Sequence, residues 1–310
     1  MSPKFTQFTT FTRPVSELTY MQIALLGLGL MGRALAARLL ERGHALALWN
    51  RTPLDDAYLT GELAGTRVVA EAVEAVSAAP LVLCMLSDAN ALREVLLSKR
   101  MVHLLPGRVV LNMATIAPEE ARSLAEALAR AGGEYVECPV LGSTPEARSG
   151  RLLLMFGGNR ARFDALLPLL SDLGTAPRHV GEVGQAAAMK LALNQLIASL
   201  TSAFALSLGL VQREGVAVED FMAVLRESAL YAPTFDKKLD RLLARDFERP
   251  NFPLKHLLKD TRLFTRAAHA AGLDTHMLVG VQHVLEHALH DGLADKDYSA
   301  LYQAIVPPRD

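Results

Sequence analysis

The chain has 310 residues, of which 51% are hydrophobic and 21% charged, enough apolar material for the cores of two domains. Lys and Arg total 32 against 33 Asp and Glu, which gives a formal net charge of -1. This balance argues against nucleic acid or an anionic membrane as a partner, because both attract proteins with a basic field. A small-molecule partner is expected instead.

The N-terminal segment, residues 1–20, is rich in Thr and lacks the apolar stretch of a secretory signal. Lys4 and Arg13 precede the first acid, Glu17, so a weak transit peptide is an alternative. We interpret the segment as a disordered or non-native extension ahead of Met21, and whether Met21 is the true start stays open.

The two cysteines, Cys84 and Cys138, lie far apart in apolar surroundings and are predicted to be buried free thiols. This favours the reducing cytoplasm as the compartment. No uninterrupted apolar run reaches the roughly 18 residues that a membrane span needs, so no membrane association is expected.

Residues 21–183 alternate short apolar runs with amphipathic stretches. The predicted strands are MQIALLGLG, HALALWN, TRVVA, PLVLCMLS, GRVVLNMA, YVECPVL and RLLLMFGG, and helices such as GRALAARLLERG and PEEARSLAEALARAG separate them. Strands that alternate with helices of this length predict an α/β domain with a Rossmann-type, doubly wound and mostly parallel sheet.

From residue 184 to residue 310 the pattern is helical, and Gln185 to Val211 forms one nearly unbroken helical stretch. We therefore predict an all-α domain, 184–310, with a long central helix that serves catalysis and oligomerisation. That helix offers more apolar surface than one small domain needs, so a homodimer or homotetramer packed through the helical domain is expected.

A glycine motif, Gly27-Leu28-Gly29-Leu30-Met31-Gly32, follows the first predicted strand and opens the first helix. In a dinucleotide site the first glycine permits the tight turn, the second lets the backbone approach the pyrophosphate, and the third lets helix and strand pack closely. The N–H groups and dipole at the start of the helix would then hold the pyrophosphate.

The end of the second strand indicates which cofactor is bound. NAD enzymes usually carry an acid there, about 20 residues after the glycines, for the ribose 2′-OH. Here the strand is followed by Asn50, Arg51 and Thr52, and the next acids, Asp55 and Asp56, lie too far past it. Asn50 and Thr52 can donate to a 2′-phosphate, and Arg51 can pair with it or stack on the adenine, so NADP is predicted, with NADPH favoured over NADH.

These motifs and several later ones resemble the β-hydroxyacid dehydrogenase family, which includes 3-hydroxyisobutyrate dehydrogenases, tartronate semialdehyde reductases and glyoxylate/succinic semialdehyde reductases. The resemblance extends from Met21 onward. It implies cofactor contacts by Met85, Leu86 and Ser87 in MLSD and by Thr115 in NMATIAP, which the family places beside the nicotinamide. CPVLGSTPEARSG resembles the substrate loop, VGQAAAMKLALN the catalytic helix, and LKHLLKD a signature that closes over the cofactor.

Lys190 is the predicted proton donor. It lies among apolar neighbours, an expensive place for an ammonium, and Asn194 is one helical turn further along the same face. Desolvation lowers the pKa of a lysine, which makes it a credible acid near neutral pH. The resemblance implies that Lys190 protonates the alkoxide formed by hydride transfer, while Asn194 orients the ammonium and binds substrate.

The substrate loop departs from the family pattern, because many relatives have Ser where this chain has Leu141. The amides of Gly142 and Ser143, with the Ser143 hydroxyl, can still hold a carboxylate, and the loop most resembles the glyoxylate/succinic semialdehyde branch. The resemblance further implies that Lys259 reaches the cofactor and that Asp260 pairs with Lys259 or shapes the site. It also implies that Phe252 lines the substrate pocket.

Four alternatives are considered. An imine reductase of the same fold typically has Asp or Tyr at the position of Lys190, and a bulkier-carbonyl reductase would suit Leu141. A dinucleotide-binding interaction module without turnover would not need the Lys190 and Asn194 pair. A phosphogluconate-type dehydrogenase would need a longer helical domain. No metal site is expected, since His283, His287 and His290 form a helical face without a nearby Cys or carboxylate triad.

Overall fold

The computed structural model describes residues 20–54, 61 and 63–308. The predictions on the N-terminal extension up to residue 19, and on Asp55 and Asp56, fall on residues outside these ranges. The elements given below are those of the described residues.

The first six strands form a parallel sheet in the order β3-β2-β1-β4-β5-β6. This is the strand order of two mononucleotide-binding halves, and it reverses direction between β1 and β4. In register, Leu25 of β1 lies between Leu48 of β2 and Leu83 of β4. The strands are β1 Gln22–Leu26, β2 Ala45–Trp49, β3 Arg67–Val68, β4 Leu81–Cys84, β5 Val109–Asn112 and β6 Glu134–Glu137.

Three further strands extend this sheet, β7 Val140–Leu141, β8 Leu153–Gly157 and β9 Arg178–Gly181. Strand β8 runs antiparallel to β6 and β7 and parallel to β9. The predicted mostly parallel, doubly wound sheet is therefore confirmed, with a mixed extension at one edge.

Helices cover both faces of the sheet. Alternate residues of a strand point to opposite sides, and both sets are apolar here, so each face needs a covering layer. Ile23 and Leu25 of β1 join one apolar core, whereas Ala24 and Leu26 join another. The helices of this domain are α1 Leu30–Glu41, α2 Ala72–Ser77, α3 Ala89–Leu96, α4 Pro118–Arg130, α5 Thr144–Arg148 and α6 Arg160–Leu173.

The rest of the described chain forms a helical domain around its own apolar core. Its helices are α7 Gln185–Arg213, α8 Val218–Glu227, α9 Pro233–Ala244, α10 Leu254–Ala270, α11 His276–Ala288 and α12 Leu301–Ile305. The predicted long central helix is α7, with 29 residues, and α10 packs along it. The predicted all-α second domain is confirmed.

Helix α7 is long and apolar enough, by length and composition alone, to cross a membrane, contrary to what its interrupted sequence suggested. Its most apolar stretch has a mean hydropathy of 1.5, and 44% of that stretch is buried inside the protein. Core helices of globular proteins pass the same test, and α7 carries the buried polar residues Lys190 and Asn194. The length and composition of α7 are therefore weak evidence for a membrane span.

A buried carboxylate joins α7 to the sheet. Glu137, the last residue of β6, accepts hydrogen bonds through Oε1 from the N–H groups of Gly184 (2.8 Å) and Ala187 (3.0 Å). These are donors at the start of α7 that have no partner within the helix. Burial raises the pKa of Glu137, and the N–H donors oppose the rise. The start of α7, one turn before Lys190, is thus fixed at the carboxyl edge of the sheet.

Candidate active site

A cavity of about 940 Å³ opens where the strand order reverses, at the carboxyl ends of the parallel strands. Ligands of doubly wound sheets bind at this position. Nearly all predicted site residues line it: Gly27, Gly29, Leu30, Met31, Gly32, Asn50, Arg51, Thr52, Met85, Leu86, Ser87, Thr115, Leu141, Gly142, Ser143, Lys190, Asn194, Phe252, Lys259 and Asp260. Leu28 instead points its side chain into the apolar core of the sheet, where it is fully buried.

The glycine turn after β1 has the geometry of a dinucleotide site. Gly27 adopts a φ of 99°, and a Cβ there would lie 2.3 Å from the Met85 carbonyl oxygen. At Gly32 a Cβ would lie 1.9 Å from the Gly27 carbonyl oxygen, so only glycine lets α1 approach β1 this closely. A Cβ at Gly29 would meet no protein atom within 4 Å, which leaves space over the start of α1 for a ligand. These residues fit a bound dinucleotide.

Of the residues after β2, Asn50 has a structural role, whereas Arg51 and Thr52 are available to bind a ligand. Asn50, which was predicted to donate to a 2′-phosphate, accepts from the Leu28 N–H at 2.8 Å and donates to the Thr52 carbonyl at 2.8 Å. Its carboxamide therefore holds the glycine turn against the turn after β2. Arg51 and the Thr52 side chain are exposed at the rim of the cavity and are the groups that can meet a phosphate.

The catalytic candidates form a buried hydrogen-bonded chain. Lys190 Nζ donates to Asn194 Oδ1 at 2.8 Å, and Asn194 Nδ2 donates to Asp260 Oδ2 at 2.6 Å. All three side chains are buried. Burial lowers the pKa of Lys190 to about 8, with the charge of Asp260 opposing that change and the charge of Lys259 adding to it. An ammonium of this pKa is a workable proton donor near neutral pH.

Lys259 connects the helical domain to the sheet. Its Nζ donates to the Ser87 carbonyl at 2.9 Å and to the Thr115 carbonyl at 3.0 Å, on the loops that follow β4 and β5. The same ammonium lies 3.2 Å from Asp260 Oδ1. The residues assigned separately to cofactor loops and to the C-terminal signature thus meet through one side chain.

The loop of Leu141, Gly142 and Ser143 lies at the cavity, but the donors of Ser143 are already used. The Ser143 N–H and hydroxyl both donate to Glu146 Oε2, at 2.8 Å and 2.5 Å. The predicted carboxylate contact through Ser143 therefore competes with a carboxylate of the chain itself. Sequence reasoning missed Glu146, although Ser143-x-x-Glu146 has the spacing of a helix capping box.

A second buried charge pair was also missed. Lys238 of α9 lines the cavity, donates to Asp297 Oδ1 at 2.6 Å and lies 4.2 Å from the centre of the Tyr298 ring. Asp297 also accepts from the Asn251 N–H at 3.3 Å, which fixes the backbone beside Phe252. The partners are 59 residues apart, so no local sequence signal could have paired them.

Comparison with known proteins assigns both halves of the chain. Residues 22–184 match the family described as "NAD binding domain of 6-phosphogluconate dehydrogenase". Residues 184–305 match the family described as "NAD-binding of NADP-dependent 3-hydroxyisobutyrate dehydrogenase". Together these matches include every predicted site residue.

Two curated relatives and one solved structure show the same relationship. Glyoxylate/succinic semialdehyde reductase 1 of Arabidopsis thaliana is 30% identical over 92% of this chain and 98% of its own length. Human cytokine-like nuclear factor N-PAC is 29% identical over 93% of this chain, which spans about half (52%) of that protein. The 3-hydroxyisobutyrate dehydrogenase of Mycobacterium tuberculosis, solved with L-serine, has the same fold, with a TM-score of 0.81 at 23% identity over 93% of this chain and 99% of its own.

The resemblance inferred from the sequence motifs is thereby confirmed, and so is the expectation of an enzyme that uses a nicotinamide cofactor. The chain belongs to the 3-hydroxyisobutyrate dehydrogenase family of NAD(P)-dependent oxidoreductases, which act on hydroxyl and carbonyl groups.

Proposed function

We propose that the chain is an NADPH-dependent reductase of short aldehyde acids, or in the reverse direction a 3-hydroxyacid dehydrogenase. The observation that carries the proposal is the buried ammonium of Lys190, which shares one cavity with the glycine turn after β1. The name of the Arabidopsis relative supports glyoxylate or succinic semialdehyde as the type of substrate.

The residues of the chain divide the work as follows. When bound, the cofactor supplies a hydride to the carbonyl carbon. Lys190 holds at Nζ the proton that the carbonyl oxygen takes up as negative charge develops on it, so the oxygen becomes a hydroxyl and Lys190 is left as the neutral amine. Asn194 accepts from that ammonium and so aims it, while Asp260 fixes the Asn194 amide. Lys259 holds the loops that carry Ser87 and Thr115 at the cavity.

The preference for NADPH over NADH is part of the proposal. It is supported by Arg51 and Thr52 at the rim of the cavity and by the absence of an acid at the position where NAD enzymes bind the ribose 2′-OH, among the residues directly after β2. A guanidinium pairs well with a phosphate, whereas a carboxylate would repel it.

Two glycine substitutions separate cofactor binding from folding. Gly29→Ala adds a methyl that meets no protein atom, so we expect unchanged thermal stability and NADPH binding about tenfold weaker or worse. Gly32→Ala places its methyl on the Gly27 carbonyl, so we expect a large loss of stability. Fluorescence titration with NADPH and thermal unfolding of both variants check this. Unimpaired NADPH binding by Gly29→Ala would contradict the placement of the cofactor.

Lys190→Ala tests the catalytic assignment. We expect NADPH oxidation with glyoxylate or succinic semialdehyde to fall at least about 100-fold, as for loss of a general acid, with NADPH binding preserved. Lys255→Ala, which removes a partly exposed lysine from the same domain, is the matched control and should keep full activity.

NADPH oxidation by the wild-type protein, measured with each class of substrate, decides among the alternatives. If the wild-type protein binds NADPH but oxidises it with none of the aldehyde acids, the proposal is contradicted and an imine or bulkier carbonyl substrate is favoured. Silence on those substrates as well would favour the non-catalytic binding module.

The pH dependence follows from the state of Lys190. Reduction needs the protonated ammonium, so with a pKa of about 8 we expect kcat/KM for the aldehyde to fall as pH rises through about 8. Asp260→Asn removes the charge that opposes the lowering of this pKa, so the fall should begin at lower pH. Profiles of NADPH oxidation for both proteins measure it. Coincident profiles would contradict the assignment of Lys190 as the acid.

We further propose that two copies of the chain pack through the helical domain, alone or within a tetramer. Leu206 and Leu210, one turn apart on α7, are 64% and 62% exposed, and Leu196 and Leu200 on the same helix are also exposed. Exposed apolar residues in such number on one helix are typical of an interface between proteins.

Sedimentation velocity at micromolar concentration should show a species at least twice the 33.6 kDa of the chain. The double variant Leu206→Glu, Leu210→Glu should sediment as a monomer, because burying two carboxylates in an apolar contact is costly. Val68→Glu, at an exposed apolar position in the sheet domain, is the control. A wild-type chain that remains monomeric would contradict the proposal.

A further inference from the structure

Glu146 occupies donors of the substrate loop that an anion would need. Ser143 lines the cavity that contains Lys190, and its N–H and hydroxyl both donate to Glu146 Oε2. A substrate carboxylate that used the Ser143 donors would have to displace the carboxylate of Glu146 or accept a position beside it.

Glu146 keeps its negative charge throughout the working range of pH. The hydrogen bond from the Ser143 hydroxyl is the largest of the effects that lower the pKa of Glu146 to about 2. Lys237 Nζ lies 3.5 Å from Glu146 Oε1, but its side chain is more than half exposed, so it screens the carboxylate only weakly. The loop therefore presents a fixed negative charge to the cavity.

Part of the cavity lining, which also includes Arg151 and Lys237, is apolar. Leu141 stands at the head of the loop, and Leu153, Ile197 and Phe252 also line the cavity. Such walls suit an uncharged carbon chain and offer no hydrogen bond to a carboxylate.

We propose that Glu146 is a specificity-determining residue that selects aldehydes in which uncharged carbon separates the carbonyl from any carboxylate. It disfavours 2-oxo acids, whose carboxylate is attached to the reacting carbonyl. Resting on the proposed function, this assigns succinic semialdehyde, with its carboxylate two methylenes away, as the better class of substrate and glyoxylate as the poorer.

Glu146 also completes the cap of helix α5, so the test must separate charge from folding. Glu146→Gln removes the charge and keeps a side chain that can accept from the Ser143 N–H, since Gln serves in capping boxes as Glu does. The matched control is Glu120→Gln. Glu120 accepts from the Ala117 N–H at 2.8 Å in the same way at the start of α4, outside the cavity lining.

The kinetic test compares kcat/KM for glyoxylate and succinic semialdehyde. We expect wild type to prefer succinic semialdehyde, and Glu146→Gln to raise kcat/KM for glyoxylate about tenfold while that for succinic semialdehyde stays within threefold. Glu120→Gln should change neither. If wild type turns over both aldehydes and Glu146→Gln leaves their ratio within twofold, the role of Glu146 is overturned while the proposed function stands.

A binding test gives a readout that does not depend on turnover. Oxamate and succinamate each carry one carboxylate and one unreactive amide carbonyl, and they differ in the carbon spacer between the two. Calorimetry on the complex with NADP should show tighter binding of succinamate by wild type, and a gain of about tenfold for oxamate in Glu146→Gln. Tighter oxamate binding by wild type, or an equal gain for both probes, would overturn the inference. Failure of both probes to bind, together with no turnover of either aldehyde, would overturn the proposed function with it.

Discussion

The placement of one buried ammonium shapes the rest of the active site. Lys190 is only 8% exposed, and a buried ammonium is costly unless acceptors replace its water. The fold supplies Asn194, whose carboxamide must turn its oxygen toward the donor Lys190 and its amide toward the acceptor Asp260. The hydrogen bonds therefore run in one direction, from Lys190 through Asn194 to Asp260, and the carboxylate of Asp260 balances the charge of Lys190.

Two long-range contacts bring Lys190, Asn194 and Asp260 together. Glu137 fixes the start of α7 to the end of β6, which sets the height of Lys190 above the sheet. Lys259 fixes α10 to the loops after β4 and β5, which brings Asp260 to the same place. Both contacts join an ionisable side chain to backbone groups at a junction between domains. The site is consequently a property of the two domains together.

The sequence was sufficient wherever the signal is local. The glycine turn, the alternation of strands and helices, and the pairing of Lys190 with Asn194 one turn apart all follow from spacings of a few residues. Contacts between distant residues were not predictable, since Glu137 and Gly184 are 47 residues apart and Lys259 and Ser87 are 172 apart. Asn50 shows a subtler limit: its position was right, but its carboxamide is used to hold the turn rather than left free for phosphate.

In the proposed role of Lys190 as the proton donor, its protonation state also links the site to the direction of the reaction. A catalyst leaves the equilibrium unchanged, so the pKa of Lys190 sets only which direction begins from the more populated form. With a pKa of about 8, the ammonium is the major form at pH 7 and the neutral amine is the minor form. Reduction, which consumes the proton, starts from the major form, and oxidation, which needs a base, starts from the minor one. Under the proposed function, the burial of Lys190 therefore suits carbonyl reduction at neutral pH while keeping the reverse reaction accessible as pH rises.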